Sequence, residues 1–193
     1  MTRTISGALV ALSLFTACGT EDDAGAAASS AQASRDRDGG DDRDHDRPRK
    51  VLEVERMTGV ARPYTGTANP VRGLSGGGLP WVIREGEAKL WSDGRLKVKV
   101  EGVQFDPNDA AVIARGLGGQ NTVASFRAVL SCQTIVDGAA AVVNVSTAAY
   151  PATTGPGAGD AEFSEVLAVP SPCYGPMVFI TSPTGSWFAA SSL

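Results

Sequence analysis

The sequence has very little histidine, since His45 is the only one in 193 residues. It lies in a run of alternating arginine and aspartate, with no hydrophobic residue nearby around which a fold would form. Catalytic Ser-His-Asp and Cys-His sites need an imidazole held by a folded scaffold, and typical zinc and copper sites use at least one. The sequence therefore argues against all of these sites, and we expect no catalytic residue of this kind, no metal and no cofactor.

A surplus of positive charge is also missing. The chain has 17 basic and 21 acidic residues, a net charge of -4. From Val51 to the C-terminus there are twelve acidic and ten basic residues, which gives -2. A nearly neutral domain has no electrostatic reason to bind the phosphate backbone of nucleic acid. We therefore expect no nucleic-acid partner.

The first residues lack charge almost completely. After Arg3 no charged residue occurs until Glu21, and the apolar core, residues 5–17, suits the hydrophobic region of a signal peptide better than a membrane-spanning helix. The ending Leu14-Phe15-Thr16-Ala17-Cys18 resembles the bacterial lipoprotein lipobox, although Phe15 stands where leucine is usual. The resemblance implies a signal peptide over residues 1–17 and a lipid anchor on Cys18. The alternative is a cysteine that merely ends a discarded signal peptide.

The segment over residues 19–50 contains only alanine among the hydrophobic types, and no aromatic residue. Such a composition buries too little apolar surface to offset the entropy lost on ordering. The run of arginine and aspartate near its end resembles a basic patch or a metal-chelating strip, but the alternating signs cancel. We therefore predict a disordered, charged linker over residues 18–50 and a folded domain over residues 51–193.

The folded region is dominated by alternation of apolar and polar residues with a period of two. In residues 96–101, LKVKVE, Leu96, Val98 and Val100 share one face and the charged residues share the other. Further strands are predicted at 87–91, 124–132, 140–146, 161–169, 177–181 and 186–190, with one more near 52–60. The pattern predicts an all-β fold: one antiparallel β-sandwich, immunoglobulin-like or similar, of about eight strands. At most one short helix is expected, over residues 106–115, with Asp106 as its cap.

Two cysteines, Cys132 and Cys173, lie in the predicted domain. Export would place them in an oxidising compartment, where an even pair of cysteines usually forms a disulfide. The sequence therefore predicts a disulfide between them. Two buried thiols are the alternative.

Three features are candidates for a site. Trp91 shares a strand face with Lys89, opposite Ala88, and is therefore a candidate binding surface. Glu85 and Glu87 share a strand face and could work with another acid in glycoside hydrolysis, although no residue is identified as that acid. The alternative is two solvent-facing acids beside a hairpin. The glycine-rich stretch over residues 72–81 lacks the Gly-Lys-Ser/Thr ending of a phosphate-binding loop, so it predicts close backbone packing instead.

Four segments of the predicted domain, together spanning about residues 70–190, resemble a family of small exported proteins of high-G+C bacteria. They are GGGLPWV, FRAVLSC, VNVSTAAYP and SPCYGPMVFITSPTGSWFA. The family has no established activity, so the resemblance implies a single folded unit and assigns no functional residue.

These features together predict a membrane-anchored protein at the outer face of the bacterial cell membrane or cell envelope. Its domain is expected to be a non-catalytic binding or structural module, with an envelope protein or a glycan as its partner. The alternative is a carboxylate-dependent envelope hydrolase that acts on glycan.

Overall fold

The computed structural model describes residues 47–191, and they form an all-β fold of antiparallel sheets, as predicted. Eight strands have five or more residues, which matches the predicted number. These are β1 (Lys50–Val54), β4 (Glu85–Trp91), β5 (Arg95–Glu101), β8 (Ser125–Val136), β9 (Ala139–Ser146), β12 (Ala161–Val166), β13 (Tyr174–Thr181) and β14 (Trp187–Ser191). The short strands are β2 (Met57–Gly59), β3 (Trp81–Val82), β6 (Gln104–Phe105), β7 (Gln120–Asn121), β10 (Tyr150–Pro151) and β11 (Gly155–Pro156).

Two main sheets form the layers of a sandwich. The first sheet has the strand order β1-β4-β5-β12. The second has the order β10-β8-β13-β14-β2, and β9 also pairs with β8. Two small sheets, β3-β6 and β7-β11, add to these layers. Since every pairing between these strands is antiparallel, the chain builds both layers from hairpins and return connections.

The core lies between the inner faces of the two sheets. In β5 the predicted apolar face is buried, with Val98 fully enclosed and paired in register with Ala88 on one side and Phe163 on the other. The second sheet contributes fully buried side chains such as Leu130 and Val178, which lie opposite each other in register. Side chains from facing sheets that meet in this way make a sandwich core.

Part of the outer face of the second sheet is buried as well. Val129 and Phe179 point away from the inner face, because they alternate with Leu130 and Val178, and yet both are buried. The residues between β2 and β3, 61–80, lie across this face, and we call them the cover segment. At one end of this face the cover segment forms two backbone hydrogen bonds with Trp187 of β14.

At its other end the cover segment reaches β9 and β13. The Asn144 side chain donates a hydrogen bond to the Arg72 carbonyl (3.0 Å), and the Arg72 guanidinium donates to the Gly175 carbonyl (2.8 Å). The predicted close backbone packing of the glycine-rich stretch is confirmed within this segment. A Cβ atom added at Gly76 would lie 2.1 Å from the Tyr64 carbonyl oxygen, so no larger residue fits without a backbone shift.

The one helix in the described part of the chain, α1 (Ala110–Ile113), lies inside the predicted range. The prediction that Asp106 caps it is wrong, because the N-cap is Asp109, whose carboxylate accepts hydrogen bonds from the backbone N–H groups of Ala111 and Val112. Asp106 instead accepts from the N–H of Asn108 (2.9 Å) in a turn that delays the helix. No helix within residues 47–191 is long and apolar enough to cross a membrane.

The predicted disulfide between Cys132 and Cys173 is present. Cys132 is fully buried in β8, and Cys173 ends the connection between β12 and β13. The bond therefore fixes this connection to the second sheet, close to the end of β4.

Candidate binding groove

Trp91 is the least buried of the three tryptophans. The other two, Trp81 and Trp187, are 4% and 6% exposed and belong to the core cluster, whereas Trp91 is half-buried at the end of β4. Along β4 it follows the buried residues Ala88 and Leu90 in strict alternation, which places it on the opposite face, as predicted.

The turn after Trp91 holds the indole in place. Gly94, at a φ of +85°, donates its N–H to the Trp91 carbonyl (3.0 Å), and Asp93 accepts from the N–H of Arg95 (3.1 Å). The Arg95 guanidinium then lies 4.9 Å from the centroid of the indole, where the electron-rich face attracts it. This contact occupies one face of the indole and limits its rotation.

A cleft of about 350 Å³ opens beside Trp91. The turn forms one wall, and the connection after β12 forms the other, with Leu167 donating its N–H to the Gly94 carbonyl (2.9 Å). Pro170, Pro172 and the disulfide at Cys173 restrict the backbone of this second wall. The cleft therefore exists before any ligand arrives. Its apolar lining consists mainly of Val51, Leu90, Trp91, Val169, Pro170 and Pro176.

Two further clefts extend this one. The cleft at Trp91 shares Pro176 with a cleft of about 430 Å³ that runs along residues 52–56. That cleft shares Glu55 and Arg56 with a third, of about 420 Å³. We call the three together the groove. Since residues 51–57 run from the first sheet to the second, the groove follows the open side of the sandwich.

The far end of the groove is charged. Glu85 and Glu87 are both exposed there, while Gly86 between them is buried, so the predicted common face is confirmed. Glu55 lines the same end, together with Arg84. The sequence analysis missed Glu55, because thirty residues separate it from Glu85 and no local pattern connects them.

Ion pairs surround this end. Arg84 donates a hydrogen bond to Glu101 (3.1 Å) and lies 3.7 Å from an Asp160 carboxylate oxygen, while Lys99 lies 2.7 Å from Glu101. The hydrogen bonds from Lys99 and then Arg84 lower the pKa of Glu101, and the bond to Glu101 raises the pKa of Arg84. The charges of Glu101 and Arg84 are therefore present at neutral pH.

The carboxylates of the groove are open to hydrogen bonds from a ligand. A glycoside hydrolase keeps one carboxylic acid protonated near neutral pH, typically by burial in apolar surroundings. Glu55, Glu85 and Glu87 are exposed to water instead. Within residues 47–191 no group of three or more His, Cys, Asp or Glu side chains is placed to hold a metal ion.

Cys18, the predicted lipidation site, lies outside the described residues. A search against models of protein families, a search of curated proteins and a search of solved structures each found no match to the chain.

Proposed function

We propose that this protein is a membrane-anchored cell-envelope module that binds glycan in the groove without catalysis. The observation that carries the proposal is the half-buried Trp91 at a preformed apolar cleft that leads to exposed carboxylates and guanidinium groups. A sugar ring presents C–H groups on its face and hydroxyls at its edge. In an oligosaccharide long enough to span the groove, the indole suits the C–H face of one ring, and the charged end of the groove suits the hydroxyls of another.

The anchor rests on the lipobox resemblance at Cys18. A diacylglyceryl group with a second signal or further acyl chain gives stable membrane attachment, because each buried methylene contributes about 0.8 kcal/mol. Mass spectrometry of membrane-extracted protein is expected to show an acylated N-terminus at Cys18. An unmodified peptide spanning residues 14–24 would contradict the anchor.

Glycan binding is testable by tryptophan fluorescence. Because Trp81 and Trp187 are enclosed, a ligand in the groove changes mainly the emission of Trp91. Titration with soluble oligosaccharides of N-acetylglucosamine is expected to give a saturable change that Trp91→Ala removes. The control Tyr64→Ala, at an exposed aromatic residue of the cover segment, is expected to bind as the unsubstituted protein does.

Thermal unfolding of Trp91→Ala must accompany this titration, and a nearly unchanged midpoint is expected. A signal that survives Trp91→Ala, or no saturable signal with any glycan fragment, would overturn the proposal. A partner that proves to be an envelope protein rather than a glycan would also overturn it.

A glycan hydrolase is the second candidate, favoured by the meeting of Glu55, Glu85 and Glu87 in one cleft. This function requires that the protein release new reducing ends from cell-wall glycan. The release would have to disappear in Glu85→Gln or Glu87→Gln while fluorescence binding persists. If no reducing ends appear, binding without catalysis is supported.

A further inference from the structure

Strand β9 forms an open edge of the second sheet. It pairs with β8 through a two-residue turn, Asp137-Gly138, in which both residues have positive φ (51° and 79°). This is the type I′ geometry that matches the twist of a hairpin. Among the strands within residues 47–191, none pairs with the other side of β9.

The hairpin register determines which backbone groups are left unpaired. In a two-residue hairpin the residues that flank the turn, Val136 and Ala139, form a hydrogen-bonded pair, and such pairs then recur at every second position. Odd-numbered residues of β9 therefore bond to β8. The backbone N–H and C=O groups of four residues point to the open edge: Ala140, Val142, Asn144 and Ser146.

This edge lacks the usual protection against pairing. Native edge strands commonly carry charged residues, proline or bulges. The sequence of β9, AAAVVNVS, has no charge, no proline and no glycine. By contrast, the edge strands of the first sheet carry charges, for example Glu53 in β1 and Glu162 in β12.

An exposed apolar patch adjoins the open edge. Ile135, Val142 and Tyr174 are 57%, 45% and 59% exposed. Gln133 pairs with both Val142 and Tyr174, so all of these side chains lie on one face of the sheet. They line a shallow cleft of about 520 Å³ that ends at β9.

We propose that β9 pairs with β9 of a second copy of this chain, antiparallel and around a two-fold axis at Val143. In this register Val142 of one copy lies opposite Asn144 of the other, and Ala140 lies opposite Ser146. All four residues with unpaired backbone groups then form hydrogen-bonded pairs, and the two second sheets join into one.

A second copy fits this edge because the strand is uncharged. A two-fold axis brings like residues close to one another, so any charge on β9 would meet its own copy with repulsion. None is present. The axis also places the two apolar patches on the same face of the joined sheet, where they flank the new seam.

The test is the association state of the mature chain, residues 18–193, carrying Cys18→Ser, so that neither an acyl chain nor the apolar signal peptide drives association. Light scattering after size exclusion is expected to show a monomer–dimer equilibrium that shifts with concentration. Val142→Lys should weaken the dimer at least tenfold, about 1.4 kcal/mol, because it places two lysines beside the axis. The matched control Val166→Lys adds the same charge at a valine that is 67% exposed in β12, and it should leave the dimer unchanged.

A second variant tests the backbone contacts directly. Val142→Pro removes an N–H group that points to the open edge and makes no bond to β8. Edge strands tolerate proline at such positions. It should also weaken the dimer while the melting temperature at low concentration stays close to that of the parent. Hydrogen exchange should show amide protection at Val142 and Asn144 that grows with concentration.

Two results would overturn the proposal. One is a monomer at every concentration up to several hundred micromolar, well above the range of specific association. The other is a dimer that Val142→Lys and Val166→Lys affect equally, since that would place the interface elsewhere.

Discussion

Two buried threonines differ in whether their hydroxyls have partners, and we expect valine to have opposite effects at the two positions. Thr147 and Thr181 are 2% and 0% exposed. The Thr147 hydroxyl accepts a hydrogen bond from the Ala128 N–H (3.1 Å) and donates to the Ala148 carbonyl (2.7 Å). The Thr181 hydroxyl has no hydrogen-bond partner among the described residues. We therefore predict that Thr181→Val stabilises the protein and that Thr147→Val destabilises it.

The magnitudes follow from the cost of a buried polar group. Valine has nearly the shape of threonine, so replacing an unpaired hydroxyl removes a desolvation penalty, and Thr181→Val should raise the free energy of unfolding by about 1 kcal/mol. In Thr147→Val the buried N–H of Ala128 loses its acceptor. The expected loss is about 1–3 kcal/mol.

Urea and thermal unfolding, followed by the fluorescence of the buried tryptophans, measure both changes. For a domain of this size each kcal/mol shifts the melting temperature by about 2–4 °C. If Thr181→Val lost as much stability as Thr147→Val, the Thr181 hydroxyl would have to be satisfied in solution, for example by an internal water. That result would refute the reasoning.

Two further predictions concern the disulfide and the helix cap. The double substitution Cys132→Ala/Cys173→Ala should lower the free energy of unfolding by about 4 kcal/mol, because the bond closes a loop with a sequence separation of 41. A loss below about 1 kcal/mol in denaturant unfolding would contradict this chain-entropy argument. The pKa of Asp109 is lowered, first by the hydrogen bond from Arg62 and also by backbone N–H groups of α1. Its stabilising effect is therefore present above the unfolded pKa of about 3.9 and lost as the pH falls through the lower folded pKa. Urea midpoints between pH 7 and pH 2 should fall less steeply in Asp109→Asn, and an identical acid dependence would show that Asp109 is not responsible.

The sequence predicted the strands best where one face of the sheet meets water. In β5 the charged residues alternate with Leu96, Val98 and Val100, so the local pattern contains the whole answer. The disulfide was predictable because only two cysteines fall within the domain. The helix was placed correctly, but its cap was not, because both Asp106 and Asp109 suit a helix N-terminus and only a turn distinguishes them.

The groove was predicted only in part. The alternation along β4 places Trp91 and the pair Glu85 and Glu87 on one face, which the sequence shows directly. The approach of Glu55 and the cleft wall at Pro176 depend on contacts between residues far apart in the chain. Local patterns carry no information about such contacts, so the apolar and charged ends could not be joined into one groove from the sequence.

The sequence analysis also missed that the outer face of the second sheet is partly buried, and β8 shows why. The extent of this burial also bears on the proposed dimer. In β8 seven residues are buried on two faces, and a strand buried on both faces loses its alternation. The cover segment shields the outer face only as far as Asn144 and Gly175. Beyond that boundary the sheet continues with the same apolar character, and Ile135 and Val142 are exposed. A second copy joined at β9 would extend the sheet across the seam beside them, and the absence of charge and proline from β9 is compatible with that pairing.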